Sequence, residues 1–250
     1  MRRYALRDDQ WERIEQMLPG KPGDVGVTAK DNRLFVEAVL YRYRAGIPWR
    51  DLPERFGHFK VIHTRFSRWS KKGLWLRVFS ALCEDSDNEY QMTDATIVRA
   101  HQHSAAAKGG GDEAIGRSKG GLSTKIHATC DALGNPTGFF LTAGQAHDRQ
   151  GADVLIADIE AEALLADKAD DADERMRAVL KHQGIKPVIP SKSNRREPID
   201  YDQHLYQARH LIENFFAKLK QYRAIATRYD KTARNFLGAI HLAAAVIWLN

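Results

Sequence analysis

The chain has 250 residues, 43% of them hydrophobic, and 38 Lys and Arg against 32 Asp and Glu give a net charge of +6. That is enough for one large domain or two modest ones with a packed core. The two cysteines, Cys83 and Cys130, stand far apart with no paired Cys or His spacing, which excludes a disulfide framework or a cysteine-based zinc site.

Charge is unevenly distributed. Residues 1–80 carry 17 Lys and Arg and 9 Asp and Glu, residues 81–190 carry 11 and 18, and residues 191–250 carry 10 and 5. Basic segments therefore flank an acidic middle. Basic faces suit a polyanion such as nucleic acid, and an acidic middle fits that partner if its carboxylates hold metal ions. Solvated surface charge is the plainer alternative. The start, MRRYALRDDQW, has no apolar core of a signal peptide. The stretch FLGAIHLAAAVIWLN is too short to span a bilayer and reads as a buried helix. A soluble, cytoplasmic protein with no membrane partner is expected.

In chain order, apolar residues at helical spacing predict a helix over Arg7–Leu18, stopped by Pro19-Gly20. A second helix is expected over Asp31–Ala45. GIPWRDLPERFG gives a turn and a short helix, and a third helix covers Phe59–Lys72. In that third helix Phe59, Ile62, Phe66 and Trp69 form the apolar stripe, while Lys60, His63, Thr64, Arg68 and Lys71 lie off it. Helix, turn and cationic helix make the pattern of a helix-turn-helix DNA reader, or of an ordinary basic three-helix bundle.

From about residue 90 the texture changes. EYQMTDATIVRA, LSTKIHATCD and GFFLTAGQA read as strands separated by turn signals. Alternating units follow: a helix over Gly151–Glu160, a strand over Ala163–Ala166, a helix over Ala172–His182, a strand over Lys186–Ile189 and a long helix over Asp202–Tyr222. A mixed sheet with helices on its faces is expected. The glycine-rich run at 105–121 lacks the spacing of a nucleotide-binding P-loop.

Three acids occupy distinctive places. Asp94 interrupts a strand, Asp167 follows one, and Glu213 lies on the long helix among cations. Acids at strand ends and on a neighbouring helix can converge at the edge of a sheet. Tyr206, Arg209, Glu213 and Lys220 are spaced by 3, 4 and 7 residues, which at about 100° per residue returns each to nearly one face. Carboxylate-only ligation suits Mg²⁺ or Mn²⁺ rather than zinc, and two such ions can drive in-line phosphoryl displacement. Taken singly, each acid also reads as a turn former, a helix cap or a surface partner. Asp148, at a strand exit, is a reserve candidate. His101 and His103 lack the further ligands a zinc site needs.

The string Tyr206-x2-Arg209-x3-Glu213-x6-Lys220 resembles the signature around the catalytic glutamate of bacterial insertion-sequence transposases of the DDE type, most nearly the fifth numbered family. MTDATIVRAHQHSAAA and LLADKADDAD are similar to the regions of its two aspartates, and RWSKKGLW and GRSKGGLSTKIHA agree with further segments. The resemblance implies an α/β fold: a helix-turn-helix-like helical domain at 1–85 and an RNase H-like catalytic domain with a mixed sheet at 88–250. It implies Asp94, Asp167 and Glu213 as catalytic metal ligands holding two Mg²⁺ or Mn²⁺. DNA contacts are expected at Tyr206, Arg209 and Lys220, at Lys60, His63, Thr64, Arg68 and Lys71, and at Arg117 and Lys119. The implied activity is metal-dependent cleavage at terminal inverted repeats and strand transfer into target DNA, by a nucleoid-associated homodimer. Asp170 stands where the family pattern has an aromatic residue, which keeps open an alternative: a catalytically weakened, transposase-derived DNA binder or repressor.

Overall fold

A computed structural model of the chain describes residues 4–105, 113–157, 159–168, 174–193, 195 and 197–250. Asp170 and part of the glycine-rich run lie outside the described residues. Among the described residues the elements run α1 (Asp8–Glu15), α2 (Asn32–Ala45), α3 (Phe59–Lys71), α4 (Leu74–Cys83), β1 (Tyr90–Ala100), β2 (Gly116–Ser118), β3 (Gly121–Cys130) and β4 (Pro136–Ala143). They continue with α5 (Arg149–Leu155), β5 (Ala163–Leu165), α6 (Glu174–His182), β6 (Lys186–Val188), α7 (Gln203–Tyr206), α8 (His210–Lys220), α9 (Arg223–Ala226), β7 (Thr227–Arg228) and α10 (Ala233–Trp248). Among the described residues no helix is long and apolar enough to cross a membrane. The chain forms two compact units that interleave in sequence: 1–82, 100–113 and 219–250 in one, and 83–99 and 114–218 in the other.

The first unit is helical. Asp31 caps α2 by accepting from the Leu34 amide, and Gly46 ends it in the left-handed conformation at φ 72°. Phe66 and Trp69 on α3 reach the core with Phe35 from α2 and Trp75 from α4, where Phe35 meets Trp69 edge-on at 4.9 Å between ring centres. Burying one such ring fully stabilises the fold by about 1.5–3 kcal/mol. α10, capped by Thr232, completes this core: Phe236, Ile240 and Ala244 are fully buried, and His241 stacks on Phe79 at 5.3 Å. Its Gly238 lies against α3, where an added Cβ would stand 2.6 Å from Ser70 Oγ. Arg228 is wholly buried in this unit.

The second unit is built on a mixed sheet in the order β4-β3-β1-β5-β6, with β2 also on β3. β3 runs antiparallel to both β1 and β4, whereas β5 runs parallel to β1 and β6 parallel to β5. Three antiparallel strands followed by parallel crossovers form the RNase H-like sheet. α5 and α6 cover one face through Ala152, Ile156, Met176 and Leu180, which pack on Leu164, Ala166, Ile185 and Ile189. Phe215 of α8 packs on Phe139 of β4 at 5.8 Å.

The structure departs from the sequence reading in several elements, among them β2, α9 and β7, which the reading does not have. Residues 74–83 form α4, for which the reading has no helix. The expected continuous helix over 202–222 is instead α7, a 3₁₀ turn at Gln207–Arg209, and α8. There the His210 ring bonds to the Gln207 carbonyl at 2.8 Å, a side-chain competitor for the helix's own ladder.

Candidate active site

Sheet register brings the first two acids together. β1 and β5 run parallel with Met92 opposite Leu165; Asp94 lies two residues further along β1, and Asp167 lies two residues past Leu165, just beyond the end of β5. Neighbouring strands are about 4.8 Å apart, and a step of two keeps the same face. Both residues line one small cavity of about 30 Å³, with Thr93, Ala95, His127, Asp148 and Ala152 completing its wall. That volume is the share of about one water molecule. Asp94 also accepts the Ala95 amide at 2.7 Å, and Asp167 accepts the Lys168 amide at 2.6 Å.

Glu213 enters through Arg209. The Arg209 guanidinium donates to Asp94 Oδ2 at 2.7 Å and to Glu213 Oε1 at 2.8 Å, spanning the two carboxylates. Asp94 and Arg209 are largely enclosed, with 23% and 13% of their side chains exposed, whereas Glu213 is 61% exposed. Arg209 Nε is buried with no hydrogen-bond partner among the described residues.

Burial raises the Asp94 pKa above the ordinary carboxylate value. Arg209 and the Ala95 amide oppose that shift, and the charges of Asp167 and Glu213 add to it. Burial works against the Arg209 charge, but Asp94, Tyr206, Asp167 and Glu213 outweigh it and hold the guanidinium protonated. The Tyr206 hydroxyl is pushed up chiefly by burial, with Asp167 and Asp94 also contributing. Tyr206, Arg209, Asp94, Asp167 and Glu213 are thus in mutual electrostatic reach.

The donor set fits a hard divalent cation in its chemistry. Asp94, Asp167 and Glu213 offer only carboxylate oxygens, and the cluster is already held together by a cation, the Arg209 guanidinium. In the present side-chain arrangement, among the described residues, no three His, Cys, Asp or Glu side chains converge in metal-ligand geometry. Arg209 engages one oxygen of Asp94 and one of Glu213.

Asp148, the reserve candidate, lies on the wall of the same cavity. It pairs with Lys125 at 2.7 Å, and the Lys125 ammonium also donates to the Ala146 carbonyl at 2.6 Å. His127, absent from the sequence reading, adjoins it with Nε2 2.9 Å from the Thr142 hydroxyl, and burial drives its pKa down to about 4. No sequence signal marks it: Thr124, Lys125, His127 and Thr129 are all buried in a strand paired on both edges, which the polar pattern of β3 does not reveal.

The expected DNA contacts fall as follows. Lys60, His63, Thr64, Arg68 and Lys71 are exposed along α3, with the His63 ring 5.2 Å from that of Trp49. Arg117 is exposed on β2, Lys119 in the turn after it, and Lys220 at the end of α8. Tyr206 ends α7 and meets Tyr201 edge-on at 5.6 Å. The 3₁₀ turn separates Tyr206 from α8, so the 3, 4 and 7 spacing does not run along one continuous α-helix.

Residues 6–79 match the family described as "Putative transposase of IS4/5 family", and residues 91–248 match the family described as "Transposase DDE domain". A Sinorhizobium fredii protein, "Uncharacterized protein y4sN", is 43% identical over 47% of this chain and 87% of its own length. The "Putative transposase for insertion sequence element IS6501" of Brucella ovis is 38% identical over 51% of this chain and 99% of its own. A chain from the structure titled "Crystal structure of a pre-cleavage Mos1 transpososome" aligns over 99% of this chain and 88% of its own, at 11% identity and a TM-score of 0.26.

Proposed function

This chain belongs to the DDE transposase family, and from that premise we propose that it binds the terminal inverted repeats of its own insertion sequence, cleaves there and joins the freed ends to target DNA. Asp94, Asp167 and Glu213 are the catalytic carboxylates in this reading. The observation that supports it is that Asp94 on β1 and Asp167, just past the end of the neighbouring parallel strand β5, line one cavity, with Glu213 tied to Asp94 through Arg209. Families of this kind use divalent metal ions. Two Mg²⁺ or Mn²⁺, when bound, would activate an attacking oxygen and stabilise the leaving one.

The chain's own residues supply positioning and charge. Thr93 and His127 bound the cavity beside Asp94 and limit the water that enters it. Arg209, released from the carboxylates, is placed to take a phosphate oxygen with its planar fork, and Lys220 adds a mobile point charge. Tyr206 presents a neutral phenol, its pKa raised further by burial, able to stack on or orient a DNA end. The exposed cationic face of α3 reads the repeat, with Arg117 and Lys119 as further phosphate contacts. Two element ends need two such sites, so the working form is a homodimer.

The test is a nicking and strand-transfer assay on a duplex carrying the element's end, with Mg²⁺ or Mn²⁺. Asp94→Asn and Glu213→Gln should leave gel-shift binding within a few fold and abolish both reactions. Cleavage persisting in both variants would refute these residues as the catalytic set.

A further inference from the structure

We propose that the pocket between the Pro19–Ala29 loop and the C-terminal half of α3 is a second DNA contact, a clamp on one phosphodiester segment of duplex DNA beside the surface read by α3. The inference rests on the DNA-binding reading above and adds residues which that reading does not use.

The pocket, of about 430 Å³, is lined by Arg65, Arg68, Lys72 and Arg77, by Trp69 and Leu74, and by the loop, with no acidic side chain in its wall among the described residues. Arg65, Arg68 and Lys72 follow one another at steps of 3 and 4, a single line along α3 and its C-cap, and Arg77 joins them from α4. Arg68 belongs both to this line and to the exposed cationic face of α3, so the two surfaces are continuous. Four cations converging without an acid repel one another, and an anion relieves that cost.

Arg65 is held in place for such a role. Its guanidinium lies over Phe35 at 4.3 Å and over Trp69 at 4.4 Å, and it donates to the Asn32 side chain. Burial, and then the neighbouring Arg68 charge, lowers its pKa. Arg77 is fixed by donating to the Lys72 carbonyl at 2.7 Å. A pre-set guanidinium loses little side-chain entropy when a phosphate arrives.

The rim of the pocket points the same way. Val25 and Val27 stand on the loop with relative exposures of 108% and 94%. Gly23 and Gly26 around them sit at positive φ, 94° and 110°. Asp24 fixes the base of the loop by accepting the Gly20 and Lys21 amides at 2.7 and 2.9 Å, so its carboxylate is spent on backbone rather than aimed at the pocket. Two projecting apolar side chains beside a cationic pocket match the surface of duplex DNA, where sugars alternate with phosphates. A free nucleotide or inorganic phosphate offers the charge without the apolar partner.

The experiment uses the full chain and a 30-base-pair duplex of arbitrary sequence, with affinity measured across a salt series. Lys72→Gln with Arg77→Gln should lower the slope of log K against log salt by about 2, one for each lost phosphate contact, and weaken binding alike on every sequence. Val25→Ser with Val27→Ser should weaken binding and leave the slope unchanged. A wild-type slope in the Lys72→Gln, Arg77→Gln variant would overturn the clamp, while failure of the wild-type protein to bind any duplex would overturn the underlying DNA-binding reading. A variant at the fully exposed tip gives a check that does not depend on altering the pocket. Alkylation of Val27→Cys should slow at least severalfold when duplex is added, and should not slow with inorganic phosphate alone. An alkylation rate indifferent to duplex would overturn the proposal.

Discussion

A carboxylate enclosed in protein either finds a cation or takes up a proton. Asp94 has found Arg209, and Arg209 in turn holds Glu213, so one guanidinium compensates two acids while a third, Asp167, adds to the negative field. In the metal-free protein, removing the guanidinium leaves an enclosed charge uncompensated. Arg209→Ala should therefore destabilise by about 2 kcal/mol, mostly through Asp94, because the exposed Glu213 pair is worth only about 0.5 kcal/mol. Adding Asp94→Asn to that variant should recover most of the loss. Urea unfolding of the four proteins of this double-mutant cycle, without metal, measures the coupling, and additive losses would show that the pair is energetically idle. The sequence singles out the three acids by strand ends and a cationic helix, and in the structure Asp167 and Glu213 lie within electrostatic reach of Asp94. The bond from Arg209 to Asp94 was not legible: the residues lie 115 positions apart, and helical spacing tells which face a side chain shares, never which distant strand it meets. Lys125 and His127 were hidden for a related reason. A polar residue in a strand reads as solvent-facing until both edges and both faces of that strand are known to be covered.

At the scale of elements, the strands and most helices were legible from their periods, and the losses came where local chemistry overrides a period. Gly73, at φ 66°, turns the chain directly from α3 into α4, for which the reading has no helix. The helix expected over 202–222 is interrupted at 207–209, where no glycine or proline marks the break. Two elements carry sharp predictions. α5 lies so close to β3 that a Cβ on Gly151 would fall 2.0 Å from the His127 ring. Gly151→Ala should cost about 1–3 kcal/mol by overpacking, and His127→Ala in the same chain should relieve it. Chemical denaturation checks both, and an unperturbed Gly151→Ala protein would mean that α5 can slide freely. On α10, burial alone lowers the His241 pKa to about 4. A histidine whose folded value lies below its unfolded value of about 6.5 stabilises above the unfolded value, and that contribution is lost as pH falls toward the folded one. Stability should therefore decline between about pH 6.5 and 4, by up to about 3 kcal/mol from this residue. His241→Phe should flatten that part of the curve, as measured by thermal melts across the range. The neutral His127 contributes in the same direction and over the same window.

At the scale of the whole chain, the grouping of residues departs from their order. Sequence texture changes near residue 90, and a reading in chain order places a helical domain at 1–85 and everything later in a second one. In the folded chain, residues 219–250 instead join the compact unit of the first helices. The reason is visible in α10. This helix is apolar almost all round, with Phe236, Ile240, Ala243 and Ala244 buried, and such a helix has to be enclosed by others. It lies against α3 at Gly238, and it holds Phe79 of α4 through His241. Hydrophobic periodicity identifies such a helix as buried without saying in which core. The consequence is an experiment on fragments. Residues 1–85 made alone lack the surface that covers α2, α3 and α4, and should form helix without cooperative unfolding or dispersed side-chain resonances. Supplying residues 219–250 in trans, or fused through a short flexible linker, should restore a cooperative melt, because it returns about 20 cal/mol or more per Å² of reburied apolar surface. If residues 1–85 melt cooperatively and bind duplex DNA unaided, α10 is dispensable to that core. If they do so only with residues 219–250 present, the folding of α2, α3 and α4 depends on a segment more than 130 positions away in sequence.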